Sequence, residues 1–301
     1  MNDVVFHSIL TPMMSRFVNL KQQSGSTYFS QARLLSYLDQ HLVDTGYQET
    51  FLTAAIVDDY LATVSHLAPR GFSNRYSVIR QFSVFLQLDR KQSHVLPKRR
   101  VTTREASRPP YIFTAEEILQ LQQACSFSPR EESVEGLYCT LFSLLYTTGI
   151  RIGEALALKH ADYLAAERLF HIRCGKFRKE RYVIVSASMA GLLESYIHRA
   201  DVSDLDAPMF LNTRGNALSH NSAHRTFRKA LTAAGINKRQ SISPRLHDLR
   251  HTFAVHRLLQ WYEQGLDVNA RLPHLSTYMG HVNILSTQVY LHPFEKLMAQ
   301  G

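Results

Sequence analysis

Between Arg90 and Pro110 the chain turns basic and proline-bounded and loses its apolar periodicity: Arg90-Lys91, Lys98-Arg99-Arg100, Arg104 and Arg108-Pro109-Pro110. A stretch of this kind reads as an interdomain linker, with helical patterning on one side and mixed patterning on the other. The 301 residues agree, since about 100–200 residues per domain imply two domains, each able to bury its own core. The expected boundaries are residues 1–98 for a helical domain, 99–111 for the linker and 112–301 for a second, mixed domain.

In the first part, helical apolar spacing runs from Tyr28 to Leu42, Leu52 to Leu67 and Tyr76 to Leu88. Turn signals at Gly46, at Pro69-Arg70-Gly71-Phe72-Ser73 and at Asp89 separate them, and Thr53 and Ser73 are the expected N-caps. The second part opens on Thr114-Ala115-Glu116-Glu117, a capping-box pattern. A helix near Val134 to Thr147 is apolar on most sides and therefore central, with Gly149 as its stop. Residues 169–173 and 181–185 form a hairpin pattern around a basic tip. Helices are expected from Ser219 to Ala234, from Ser243-Pro244 to Gln260, and from Leu275 onward. The fold class is thus mainly α with a small antiparallel β-sheet.

Net charge is +9, which makes a polyanionic partner plausible but fits a soluble basic protein equally well. No uncharged apolar run approaches the roughly 18–20 residues of a membrane span. The N-terminus lacks a signal-peptide pattern, so a cytoplasmic protein without membrane contact is expected. Cys125, Cys139 and Cys174 are scattered, as reduced structural thiols would be.

The chemistry gathers in four places: Arg151 in Thr148-Gly149-Ile150-Arg151-Ile152-Gly153-Glu154, then His247-Asp248-Leu249-Arg250, Met279-Gly280-His281 and Tyr290. Two arginines can hold one phosphate bidentately, histidines can move or orient protons, and a tyrosine hydroxyl can attack phosphorus to form a covalent ester. His247 and Arg250, three apart, share a helix face near an N-terminus, where unpaired amides favour an anion. His247 and His251 also have the spacing of a helical zinc pair. However, no glutamate base lies between them, and Arg250 would repel a metal. No Gly-Lys-Ser/Thr phosphate loop is present, which argues against ATP use, and the acidic residues show no two-metal grouping, so no cofactor is expected.

These segments, in this chain order, resemble the tyrosine recombinase (phage integrase) family. His247 to Ala254 is similar to its signature stretch and Thr147 to Leu156 to its first-arginine segment. The nine positions from His281 to Tyr290 match its nucleophile spacing, which sets Tyr278 and Tyr262 aside. The resemblance implies a helical core-binding, SAM-like DNA-binding domain followed by an α+β catalytic domain. It further implies a clamp on double-stranded DNA and cleavage through a 3′-phosphotyrosyl bond. Arg151 and Arg250 are then the phosphate-binding arginines and His247 the proton-handling histidine. His281 is a phosphate ligand or nucleophile-orienting group, Tyr290 the nucleophile, and Glu154 an accessory residue.

Gly175 to Arg181 resembles the family's lysine-bearing turn, which makes Lys176 the general acid for the 5′-oxygen, with Lys179 competing because Phe177 replaces a usual glycine. Arg99, Arg100, Arg178, Lys179 and Arg181 are expected DNA contacts. The resemblance also implies a homotetramer on a DNA synapse, alone or with partner recombinases. Residues 265–274 look longer than in minimal recombinases and are similar to mobile-element integrases. Only Leu291 to Gly301 follow Tyr290, so a tail exchange between subunits that is either shortened or absent is expected. Type IB topoisomerase-like relaxation and a non-cleaving DNA-binding accessory protein are the alternatives.

Overall fold

In the computed structural model the described residues are 4–25, 28–98, 109–126, 136–173, 180–200, 204–212, 214–236, 243–281, 285–291 and 294. The chain divides into two compact units, Met1–Ser107 and Arg108–Gly301.

The first unit holds four helices among its described residues: α1 (Thr11–Gln23), α2 (Phe29–Asp44), α3 (Ala54–Thr63) and α4 (Pro69–Asp89). Their apolar faces meet in a core that includes Leu10, Met14, Phe17, Leu35, Leu38, Val57, Phe82 and Leu86. Thr53 caps α3 as expected, its hydroxyl accepting the Ile56 N–H at 3.3 Å. Two expectations fail. Helix α4 begins at Pro69 rather than Tyr76, so Ser73 lies inside a helix and caps nothing. Proline is compatible with a first helical turn, because the N–H it lacks has no intrahelical partner there. Helix α1 was not anticipated, although Met14, Phe17 and Val18 carry the spacing of a buried helical face.

The second unit is organised around α6 (Leu137–Thr148), buried on most sides and packed by α5 (Ala115–Ser126), α8 (Ala187–Ala200), α9 (His220–Ala233) and α10 (Asp248–Glu263). Thr114 and Glu117 form the capping box reciprocally, with Thr114 N–H on Glu117 at 2.9 Å and Glu117 N–H on Thr114 at 3.2 Å. Ser219 caps α9 by accepting the Ser222 N–H.

Helix α6 stops at Gly149, which takes φ +64° and leaves no room for a side chain, since an added Cβ would collide with the Phe253 ring. The chain then re-enters a short helix, α7 (Ile152–Leu156). The sheet is antiparallel in the order β1 (Tyr163–Leu164), β2 (Leu169–Ile172), β3 (Arg181–Ile184), with Phe170 opposite Val183 and Ile172 opposite Arg181. The hairpin is as expected, whereas β1 is an additional strand. The hairpin tip, 174–179, lies outside the described residues.

Helix α10 starts at Asp248, not at Pro244. Arg245 and Asp248 close a turn ahead of it: the Asp248 carboxylate accepts the Arg245 N–H at 2.7 Å, and the Asp248 N–H returns to the Arg245 carbonyl at 2.8 Å. His247 is therefore the residue before the helix. The helix expected from Leu275 onward begins earlier, as α11 (Val268–Tyr278). Asp267 caps it through the N–H groups of Asn269 and Ala270, so much of the stretch taken for an extended insertion is helical despite Pro273. Helix α12 (Leu285–Gln288) lies against α11, and Tyr290 joins a small apolar cluster with Phe253, Val255, Leu258, Leu272 and Met279.

Candidate active site

The end of α11 organises the site. Its last turn closes as a Schellman motif, with the Gly280 N–H on the Thr277 carbonyl and the His281 N–H on the Ser276 carbonyl, both at 2.9 Å, and Gly280 at φ +66°. A helix C-terminus leaves carbonyls without intrahelical donors and carries the negative end of the helix dipole. Here three arginines satisfy them in succession. Arg181 Nε donates to the Tyr278 carbonyl at 2.9 Å, Arg250 to the Met279 carbonyl at 2.7 Å and Arg151 to the Gly280 carbonyl at 2.8 Å. Residues far apart in the chain are thereby drawn to one turn.

Arg250 is 2% exposed and also donates to the Gly149 carbonyl at 2.5 Å and to His281 Nε2 at 2.8 Å. A guanidinium has no acceptor, so Nε2 must carry the lone pair. The His281 proton then sits on Nδ1, which donates to the buried Thr287 hydroxyl at 2.7 Å. The environment agrees: burial and the charges of Arg250 and Arg151 push His281 down to about 4. Burial, then the adjacent Arg151 charge, brings Arg250 down to about 10, which still leaves it protonated at neutral pH.

Arg151 precedes α7, which Glu154 caps by accepting the Arg151 N–H at 2.9 Å. The Glu154 carboxylate, 4% exposed, also meets the Arg151 guanidinium at 2.9 Å and, through both oxygens, that of Arg181 at 3.0 and 2.8 Å. Burial alone would raise its pKa. Hydrogen bonds from Arg181 and from the Arg151 N–H, with both guanidinium charges, outweigh that and hold Glu154 at about 2. Three guanidinium charges thus face one carboxylate, and the cluster is electropositive.

Tyr290 is 2% exposed, edge-on to the His251 ring at 5.4 Å and stacked with His281 at 6.1 Å. Burial raises its hydroxyl pKa, while the charges of Arg250 and Arg151 and a hydrogen bond from Arg250 act in the opposite direction. The hydroxyl is therefore neutral at rest and must lose its proton to attack. His247 lies at the surface ahead of α10, its ring edge-on to His251 at 4.8 Å. Crowding by the protein, then His251 and Arg250, lowers it to about 4. His251 falls as far through burial and the charges of Arg245 and Arg250. All three histidines are neutral near pH 7, and with the His281 lone pair engaged by Arg250 the candidate proton acceptors are His247 and His251.

Of the expected site residues, the structure brings together Arg151, Glu154, Arg250, His281 and Tyr290, with His247 at the edge. Lys176, Arg178, Lys179, Arg99 and Arg100 lie outside the described residues. Arg181 does not present itself as a surface contact: its side chain is 13% exposed and its guanidinium is turned onto Glu154 and Tyr278. Two neighbours were not assigned roles from sequence. His251, weighed there only as half of a zinc pair, stands between His247 and Tyr290, and Thr287 anchors His281. Among the described residues, no group of three His, Cys, Asp or Glu side chains could hold a metal, and no helix is long and apolar enough to cross a membrane.

The sequence and fold have known counterparts. Residues 112–296 match the model of the phage integrase family. A putative integrase/recombinase, y4rE, of Sinorhizobium fredii is 30% identical over 98% of this chain and 96% of its own length. Tyrosine recombinase XerC of Chlamydia trachomatis serovar L2 is 31% identical over 78% of this chain and 71% of its own. In fold, the chain is similar to the XerH site-specific recombinase in a structure bound to its palindromic difH substrate, with TM-score 0.67, 17% identity and coverage of 95% and 83%. The Tn1549 transposon integrase in complex with transposon right end DNA gives TM-score 0.64, 13% identity and coverage of 92% and 94%. With the family match spanning most of the second unit and one relative aligned over nearly the whole sequence, the chain belongs to the phage integrase family of tyrosine recombinases.

Proposed function

We propose that this chain is a site-specific recombinase that cuts and rejoins double-stranded DNA through a covalent 3′-phosphotyrosyl bond to Tyr290. The observation that carries the reading is the meeting of Arg151, Arg250, His281 and Tyr290 around one helix end in an electropositive cluster. Attack by the Tyr290 oxygen forms the P–O bond to tyrosine and breaks the P–O bond to the 5′-oxygen. The tyrosine proton passes to a neutral histidine, for which the exposed His247 is the candidate. The departing 5′-oxygen takes a proton from Lys176, an assignment that rests on the family resemblance alone. Arg151 and Arg250 stabilise the charge that builds on the non-bridging oxygens, typically the largest contribution in a site of this kind. Ligation is the reverse attack by a 5′-hydroxyl, so the ester conserves the bond energy and no nucleotide cofactor enters.

The reading includes DNA binding by the helical first unit together with the basic segment that holds Arg99 and Arg100. It also includes a homotetramer on paired sites, with or without partner recombinases, as strand exchange between two duplexes requires. Two differently marked duplexes carrying the DNA that flanks the chain's own coding sequence test it. A product joining the two marks is expected. Relaxation of supercoiled DNA with no joined product would replace the reading with a topoisomerase, and binding with neither would leave an accessory DNA-binding protein.

A further inference from the structure

We propose that Arg181 is a positioning residue for strand cleavage: by holding Glu154 in a two-pronged pair, it keeps that carboxylate from closing on Arg151 and so leaves Arg151 a cation available to phosphate. This rests on the recombinase reading above. Glu154 lies between two guanidinium groups and divides its oxygens unequally. Both prongs of Arg181 engage it, NH1 on Oε1 at 3.0 Å and NH2 on Oε2 at 2.8 Å, whereas the Arg151 guanidinium reaches only Oε1, at 2.9 Å, and Oε2 accepts the Arg151 main-chain N–H, also at 2.9 Å. The second nitrogen of Arg151 is thereby left for the Gly280 carbonyl, which fixes its plane against the turn carrying His281.

Arg181 is itself locked by its Nε bond to the Tyr278 carbonyl. Gly280 permits the approach, since a Cβ there would stand 3.0 Å from the Arg181 guanidinium. Fork-to-fork pairing of this kind is directional and strong, and lysine cannot reproduce it. Without Arg181, the nearest remaining cation for the buried carboxylate is Arg151. The carboxylate would take both of its nitrogens, draw it off Gly280 and cancel one of the charges meant for phosphate.

The test is single-turnover cleavage at saturating DNA by the full chain, with affinity and thermal unfolding measured on the same preparations. Arg181→Met, close in length and uncharged, is expected to cleave about 10²-fold more slowly, the effect of losing one well-placed electrostatic contact, with DNA affinity nearly unchanged. Arg181→Lys, which restores the charge without the fork, should recover part of the rate. The decisive variant is Arg181→Met combined with Glu154→Gln: removing the stranded carboxylate charge should restore at least about tenfold over Arg181→Met alone, a coupling between touching residues that a purely additive loss cannot give. The proposal is overturned if the double variant, folded to the same extent, is no faster than Arg181→Met. It is also overturned if Arg181→Met matches the unmodified chain, or if its loss appears only as weaker binding, which would make Arg181 a DNA contact. Absence of cleavage by the unmodified chain would count against the recombinase reading instead.

Discussion

Tyr290→Phe is expected to reduce covalent protein–DNA adducts to the background of the assay while changing DNA affinity by no more than about twofold. The substitution deletes one buried hydroxyl and no charge, and most affinity for DNA comes from counterion release at many phosphates. Phenylalanine keeps the ring that stacks with His281 and meets His251 edge-on, so the apolar cluster around position 290 has no reason to change. The measurement is an adduct assay on a nicked suicide duplex beside a binding titration. An adduct that survives would move the nucleophile elsewhere. Tyr278 is the next candidate, but burial pushes its hydroxyl up to about 12 and that hydroxyl points to the Ile184 carbonyl at 3.5 Å.

Arg250→Ala should lower the cleavage rate by at least about 10³-fold, with affinity falling less than about tenfold. Loss of one preorganised charge at a transition state costs roughly 10²–10³ by itself. Arg250 does more than this, because three acceptors converge on it: the Gly149 carbonyl at the end of α6, the Met279 carbonyl at the end of α11, and His281 Nε2. Truncation strands all three in a buried place, at a cost of about 1–3 kcal/mol for each unsatisfied group. Stability should therefore fall together with activity. Arg250→Lys, whose ammonium is a point donor that cannot span three diverging acceptors, separates the two effects. It should fold better than the alanine variant and still cleave far more slowly than the unmodified chain. A lysine variant with near-normal cleavage would show that charge alone suffices and that the fork geometry is irrelevant.

The elements visible in the sequence are those with local causes. The Thr114–Glu117 box, the Thr53 cap and the Gly149 stop each depend on residues within four positions of one another, and each appears where the pattern puts it. Proline misled twice for one physical reason: it tolerates the first turn of a helix without compelling one. Pro69 opens α4 where a turn was expected, and Pro244 precedes a turn closed by Arg245 and Asp248 where a helix was expected. In α11, Asp267 was the available start signal, obscured by Pro273 within the same helix.

The chemistry followed a similar division. Arg151, Arg250, His281 and Tyr290 were found through family resemblance in short motifs. Much of what binds them was not legible, because carbonyls have no sequence identity: each of the three arginines donates to a main-chain oxygen at one helix end, 29 to 129 residues away. Arg181 is the clearest case. A basic residue at the base of a basic hairpin reads as a DNA contact, and only the fold reveals that a buried carboxylate 27 residues upstream has claimed it.

Tyr290 is the proposed nucleophile at phosphorus, and identification of the residue attached to DNA tests it most directly. The protein would be trapped on a suicide duplex taken from the DNA flanking its own coding sequence, the DNA digested to a residual nucleotide, and the modified peptide sequenced by mass spectrometry. The expected result is a nucleotide joined through its 3′-phosphate to Tyr290 and to no other residue, absent from the Tyr290→Phe protein. A nucleotide on Tyr278 or any other side chain, or a linkage through a 5′-phosphate, would contradict the account.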